Sequence, residues 1–495
     1  MSLRSRLVRG SLYTLFSSLL SLVFAMVTTI IYARLLNPGN FGVLGIFLAL
    51  GATIGPFAGL GLNVAAMKFV AEGRSKETHE TELLLNVGLA ITLGSGLALS
   101  FGYFVFAQSL AAFYGQPVLV VMIRLSAAVL LISALGTFAQ AVIQGLQEMR
   151  KLSLLNIAMQ GLAVPITFIS VNLFGLPGAA VGGVVFVCAV FASSFTLTRS
   201  LLRRRGLQLR PRWDLPIAKR LLRFSAPLLF ASISTRLALL IVASLLALWL
   251  TYNDLGYYRA ASSLYRVVLV LPGVLNVSLL PAMSEAYATQ KAERTRNQLT
   301  QLVRLSMILS LPIALIVGFG APFWISLLYG SSYTPGAILL FTLSLATVVD
   351  VLAIECESTF IGSGRTWLAF ALSAGQMVTL VAVSLFLVPA IGVTGAAFAV
   401  VISSILYLCV AIAILRKHHE LALRELWDVA LLCSGILCAS AGTFALWGFA
   451  NPVVFGTIFA IASVLLVVTS KPKDRQLVAA ALRMSVGILG GRKET

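Results

Sequence analysis

The sequence predicts an all-α polytopic integral membrane protein, with about fourteen transmembrane helices in two parallel-repeat six-helix lobes plus two extra C-terminal helices. Three observations predict it. Hydrophobic residues fill 59% of the 495 positions and charged residues only 11%, against about a quarter charged in soluble domains. Apolar runs of roughly 20 residues, each enough to cross a hydrocarbon core of about 30 Å, recur along the whole chain. The hexapeptide Gly175-Leu176-Pro177-Gly178-Ala179-Ala180 returns 217 positions later as Gly392-Val393-Thr394-Gly395-Ala396-Ala397. Other landmarks keep nearly that spacing: Phe41-Gly42 with Leu255-Gly256 (214), Pro56 with Pro272 (216), and Tyr114-Gly115 with Tyr329-Gly330 (215).

The first run, 10–33, is longer than a signal-peptide core and has no small-residue cleavage site after it, so it is expected to remain as a span. Runs at 41–66, 83–107, 117–143, 153–174 and 176–198 complete a first lobe over 1–200. A basic segment, 201–223, follows as a cytosolic linker, with Asp214 placed to cap a short helix beginning near Pro216. Runs at 224–250, 256–283, 303–327, 336–362, 367–388 and 392–415 form the second lobe, 224–416. The last two, 428–449 and 452–470, have no counterpart in the first half and precede a basic tail, 471–495.

Orientation follows from the basic residues. Placing the N-terminus in the cytosol puts Arg4, Arg6, Arg9, Lys68, Arg74, Lys76, Arg150, Lys151 and the cluster from Arg199 to Arg223 on that side, leaving Arg34 and Arg259 outside. This asymmetry predicts a cytoplasmic-membrane protein with both termini cytosolic. Six spans per half is an even number, so the repeats are parallel, related by an axis along the membrane normal. The same placement explains the net charge of +19 without nucleic acid. Cys188, Cys356, Cys409, Cys433 and Cys438 lie in apolar runs with neither metal-ligand nor secreted disulfide spacing and are expected to be small core residues. The six tryptophans sit near predicted span ends as interfacial anchors.

Several segments resemble the polysaccharide-transporter branch of the multidrug/oligosaccharidyl-lipid/polysaccharide flippase (MOP, MATE-like) superfamily, which includes Wzx-type flippases. They are Ala33-Arg34-Leu35-Leu36-Asn37-Pro38-Gly39-Asn40-Phe41-Gly42, Arg223-Phe224-Ser225-Ala226-Pro227-Leu228 and Leu327-Leu328-Tyr329-Gly330-Ser331-Ser332-Tyr333. The resemblance implies a V-shaped pair of six-helix lobes around a cavity, moving a lipid-linked oligosaccharide from inner to outer leaflet. MurJ-type lipid II flippases are similar too and carry cationic residues on their first helix. Here Leu12 to Ala33 contains no charge, and lipid II stays an alternative cargo.

An arginine near the bilayer centre costs roughly 2.5 to 3.5 kcal/mol and needs a partner, a wet cavity or a function. Arg236 lies at mid-depth in the seventh span, after Ser232, Ser234 and Thr235; Arg266 lies at comparable depth in the eighth. Arg259, two helical turns before Arg266, makes a polar face with it and with Ser262 and Ser263. These guanidiniums match the pyrophosphate of a polyprenyl-linked sugar, or else form structural ion pairs. Arg124, nearer the outer surface, either joins them or snorkels. In the tenth span Asp350 and Glu357 share a face, while Glu355 points away; they are candidates for proton or sodium coupling, or Asp350 neutralises an arginine. Pro56 and Pro272 are candidate hinges, flanked by Gly55 and Gly273. The glycines of 178–182 and 392–395 are expected at close helix contacts.

The expected partners are the bilayer and the lipid-linked oligosaccharide, with a proton or sodium ion as coupling partner and a monomer as the working unit. No cofactor, metal or catalytic constellation is expected. No nucleotide-binding G-x-x-x-x-G-K-[ST] loop occurs, and the outer side offers a membrane glycosyltransferase only the carboxylate of Asp254. A MATE-like cation-coupled multidrug efflux pump is the other transporter reading, against which the mid-span cations stand opposite in sign to an acidic drug pocket.

Overall fold

Asn37-Pro38-Gly39-Asn40 sets the first helix boundary through bonds its own residues supply. In the computed structural model, which describes residues 3–72, 78–269, 306, 310–362 and 365–417, α1 (Leu3–Leu35) stops there and α2 (Pro38–Gly59) begins. The Asn37 side chain accepts from the Asn40 amide at 2.8 Å, and Pro38 sits in the first turn, where its missing amide is not needed. Thr251 repeats the device: its hydroxyl accepts from the Asp254 amide at 3.3 Å, and its own amide donates back to the Asp254 carboxylate at 3.2 Å. Helix α10 (Tyr252–Val268) follows. The two helix starts then meet. A methyl added at Gly42 would overlap the carbonyl oxygen of Tyr252, and one added at Gly256 would overlap that of Pro38.

Every element among the described residues is helical. Among the described residues eight helices are long and apolar enough to cross a membrane, or ten if two bent pairs are each one span. The chain divides into a unit ending at Gly256 and one beginning at Tyr257.

In the first unit, the predicted span 41–66 is two helices, because Leu60 (φ 47°) and Gly61 (φ 71°) take left-handed conformations that end α2 and start α3 (Leu62–Glu72). At Gly61 an added methyl would also meet the Ser225 carbonyl at 3.0 Å, so the break doubles as a close helix approach. The predicted 83–107 becomes α4 (Thr78–Val105) and a separate α5 (Ala107–Phe113). Helices α6 (Val118–Gly145), α7 (Met149–Phe174) and α8 (Leu176–Arg203) follow.

The basic segment is tied into this unit. Buried Asn86 accepts the Arg210 amide at 2.7 Å on its side chain, and Leu207, Ala218 and Leu221 join a core with Leu62, Leu84, Val142 and Leu202. Asp214 caps the next helix as expected, accepting from the Ile217 amide at 3.0 Å. The expected short helix is wrong in length. It runs unbroken as α9 (Leu215–Trp249), 35 residues, because the good helix formers Lys219 to Arg223 provide no stop before the apolar run.

In the second unit, α11 (Ser310–Phe319) and α12 (Ala321–Leu328) meet at 74° around Gly320, a bend within the expected span 303–327. The Trp324 indole donates to the Ile316 carbonyl at 3.2 Å across that bend. A short 3₁₀ turn (Ser331–Gly336) leads to α13 (Ala337–Gly362), α14 (Thr366–Ile391) and α15 (Val393–Lys417).

The duplicated corners superpose bond for bond. Gly175 (φ 61°) donates to Val171 at 2.8 Å and Gly392 (φ 67°) to Val388 at 2.9 Å. Gly178 presses on the Ser170 carbonyl and Gly395 on that of Leu387, so neither has room for a methyl. Gly178, Gly182 and Gly395 are close helix contacts, as small residues in membrane bundles are, while Gly392 meets nothing within 4 Å and supplies the positive φ of its corner.

The cysteine expectation fails in part. Cys356 is buried, but Cys188 and Cys409 are exposed, since apolar residues in a membrane helix can face lipid as readily as the core. Trp213 precedes the α9 cap, Trp249 ends α9 and Trp367 opens α14. The last two predicted spans, the tail, Cys433, Cys438, Trp427, Trp447, Pro272 and Gly273 lie outside the described residues.

Candidate functional site: the Arg236 cavity and the polar helix of the second unit

Pro56 explains where Arg236 is held. A proline cannot donate to the carbonyl four residues back, so in α2 it leaves the Ala52 oxygen without its helical partner. That oxygen accepts from the Arg236 guanidinium at 3.3 Å. One residue on, the Thr53 hydroxyl donates to the Arg236 carbonyl at 3.2 Å and to Ala49 at 2.9 Å, fixing α9 against α2. By helical rise Arg236 is roughly 20 Å from the Trp249 end of α9, near mid-span.

Arg236 opens into a cavity of about 360 Å³, walled by Gly51, Gly55, Pro56 and Gly59 on one side and by Asn63, Ser133 and Thr137 on others. Nothing lies within 4 Å of a methyl placed on Gly51 or Gly55, so the α2 wall is bare backbone. Among the described residues Arg236 has no carboxylate partner. One of its five N–H donors goes to a neutral carbonyl, and its guanidinium is exposed beside the cavity.

In the second unit Arg259, Ser262, Ser263 and Arg266 form the expected stripe on α10. Arg259, Ser262 and Ser263 are half-buried and Arg266 is exposed. Ser263 shares a hydrogen bond of 2.6 Å with the Tyr329 hydroxyl, and Ser262 donates to the Arg259 carbonyl at 3.1 Å. Tyr265, immediately before Arg266, donates to Asp350 on α13. Ser404 is a second hydrogen-bond partner of Asp350 and accepts from Gln376 at 3.3 Å.

The other α13 carboxylates also rest on hydroxyls: Ser373 donates to Glu357 at 3.2 Å, and Ser306 donates to fully buried Glu355 at 2.8 Å. Among the described residues no ion pair joins Asp350 to Arg266. No group of three His, Cys, Asp or Glu side chains converges there either. Arg124 stands apart from the Arg236 cavity, 5.4 Å from the ring of Phe104. The side chains of Ser232, Ser234 and Thr235 lie outside the described residues.

Sequence reasoning missed the polar wall Asn63, Ser133 and Thr137, and the partners Tyr265 and Ser404. A signal existed for some of it: Ser133 and Thr137 are four apart, as are Ala52 and Pro56, so each pair shares a helix face.

A duplicated helical bundle with a charged guanidinium beside a mid-span cavity is the build of a membrane transporter. The chain belongs to the polysaccharide biosynthesis protein family, whose model matches residues 7–287, and the lipid II flippase MurJ model matches residues 152–466. Lipid III flippases of Escherichia coli (strain K12) and Shigella flexneri are each 24% identical over 425 residues, 83% of this chain and 99% of theirs. Among solved structures, the inward closed conformation of lipid II flippase MurJ aligns with a TM-score of 0.72 at 13% identity, over 93% of this chain and 98% of that one. An inward-facing MATE multidrug transporter of the MOP superfamily aligns with a TM-score of 0.70 at 16% identity, over 80% and 94%. A MOP superfamily transporter from Pyrococcus furiosus, described as having a binding pocket of reversed polarity, gives 0.62 at 16% identity, over 83% and 95%. These likenesses establish the MATE and MurJ fold.

Proposed function

We propose that this chain is a flippase carrying a polyprenyl-pyrophosphate-linked oligosaccharide from the inner to the outer leaflet of the cytoplasmic membrane, for cell-surface polysaccharide synthesis. The observation that carries the reading is Arg236. Its guanidinium is held at mid-span by the carbonyl that Pro56 frees, beside a cavity with a glycine wall. A planar guanidinium that stays charged at every working pH suits phosphate oxygens. The bare wall leaves room for a bulky polar head, and names shared by relatives, lipid III flippase above all, agree in substrate class.

Arg259 and Arg266 are the phosphate-binding cations of the second unit, with Arg124 an outer contact in the first. Asp350 and Glu357 take the coupling proton or sodium ion, and Pro56 with Pro272 are the bending points of a rocking monomer with cytosolic termini. The protein makes and breaks no bond. An inside-negative potential assists: two phosphate charges crossing the full field gain about 4.6 kcal/mol per 100 mV, from roughly 2.3 per charge.

The test is translocation of a fluorescent polyprenyl-pyrophosphate oligosaccharide in proteoliposomes of the full chain. Arg236→Ala is expected to slow it at least about a hundredfold, from the few kcal/mol that one charge-assisted contact contributes. Wild-type rates in Arg236→Ala, together with tight binding of organic cations, would favour the multidrug pump.

A further inference from the structure

The basic end of α8 carries Arg199, Arg203 and Arg204. Its orientation is set by buried polar groups on one face. Ser194 and Thr198 are fully buried; Gln140 donates to Ser194 at 3.3 Å, and Thr198 donates to the Ala139 carbonyl at 3.0 Å. Leu201 and Leu202 continue that face into the core of the first unit.

With the helix fixed so, Thr196, Arg199, Ser200 and Arg203 project from the opposite side at spacings of three and four. They line an open pocket of about 510 Å³ with Phe195 and Arg204. All three arginines are exposed, and among the described residues none of their guanidiniums has an ion-pair or hydrogen-bond partner. Phe195 stacks on Phe191 one turn deeper, ring centroids 5.4 Å apart, along a span that is largely unburied by protein. Charge at the rim over a half-buried aromatic flank on an apolar helix suits a phosphate attached to acyl chains.

We propose that Arg199, Arg203 and Arg204 bind the phosphate headgroup of an anionic phospholipid, with its chains lying along Phe195 and Phe191. The three guanidiniums supply charge-assisted bonds to the phosphate oxygens, and the Ser200 hydroxyl supplies a neutral donor beside them.

The experiment is native mass spectrometry of the full chain from phosphatidylcholine vesicles containing increasing phosphatidylglycerol. Wild-type protein is expected to retain phosphatidylglycerol in preference to phosphatidylcholine. The triple variant Arg199→Gln, Arg203→Gln, Arg204→Gln is expected to lose that preference by at least about tenfold, from roughly fivefold per guanidinium near a charged surface. If the triple variant does not fold, the single variants Arg199→Gln and Arg203→Gln carry the test at about fivefold each. Arg236→Ala is expected to retain phosphatidylglycerol as the wild type does, whatever it does to transport. Unchanged retention in the arginine variants overturns the proposal. So does displacement of the lipid by inorganic phosphate, which would make this a site for a soluble anion.

Discussion

Helices α6 and α13 occupy the same place in the two repeats, and their polar residues differ in kind. At the offset of 217 that aligns the corners at Gly175 and Gly392, Ser133 corresponds to Asp350, Phe138 to Glu355 and Gln140 to Glu357. The first repeat keeps neutral groups in those places: Ser133 faces the Arg236 cavity and Gln140 donates to Ser194. The second places three carboxylates there, each held by hydroxyl donors. The two copies therefore share backbone geometry, down to two glycine caps with matching bonds, while only the second carries ionisable groups at these positions. The scaffold is held alike in the two copies, and the ionisable groups are not.

The largest expected effect that would break this contrast is at the cations. Arg266→Ala should reduce oligosaccharide translocation in proteoliposomes about a hundredfold, on the scale of one charge-assisted contact. Its counterpart at the α2 offset of 214 is Ala52, which contributes only a carbonyl. Next, Asp350→Asn should abolish the response of transport to an imposed pH or sodium gradient, with the rate falling about tenfold, whereas Ser133→Ala should leave that response intact. Equal behaviour of the two would mean that the carboxylate only braces α13 against Tyr265.

A stability test sharpens the packing side. Gly178→Ala and Gly395→Ala should each lower the unfolding free energy by about 1–3 kcal/mol, the cost of overpacking, and by similar amounts, read from thermal melts in detergent. The smallest effect is expected at Pro56→Ala, a few-fold loss of transport. The restored amide would compete with Arg236 for the Ala52 oxygen without removing the guanidinium.

Much of the scaffold was legible because its signals are local. Apolar run length marked the spans, and the hexapeptide repeat marked corners whose glycines do adopt positive φ. Asp214 was readable as a cap from its place before Pro216. The break at Leu60-Gly61 was not, because it lies inside a continuous apolar run where a left-handed leucine leaves no trace in composition. Nor was the continuity of α9, where a charged stretch reads as a loop until it is seen packed on the first unit.

At the site, Arg236 and Pro56 were each visible alone. Their connection runs through the Ala52 oxygen, a backbone atom that carries no residue signature, and through a tertiary contact 184 positions away in sequence. The hydroxyl partners of Asp350 were hidden for the same reason, since Tyr265 and Ser404 come from other helices.

The reciprocal contact at Gly42 and Gly256 makes two distant stretches of chain a single constraint on register. Each glycine is seated on the oxygen that opens the other helix, so the length of both Asn37-to-Gly42 and Thr251-to-Gly256 is locked. One residue inserted in either would turn the downstream helix by about 100° and bring a side chain where only hydrogen fits.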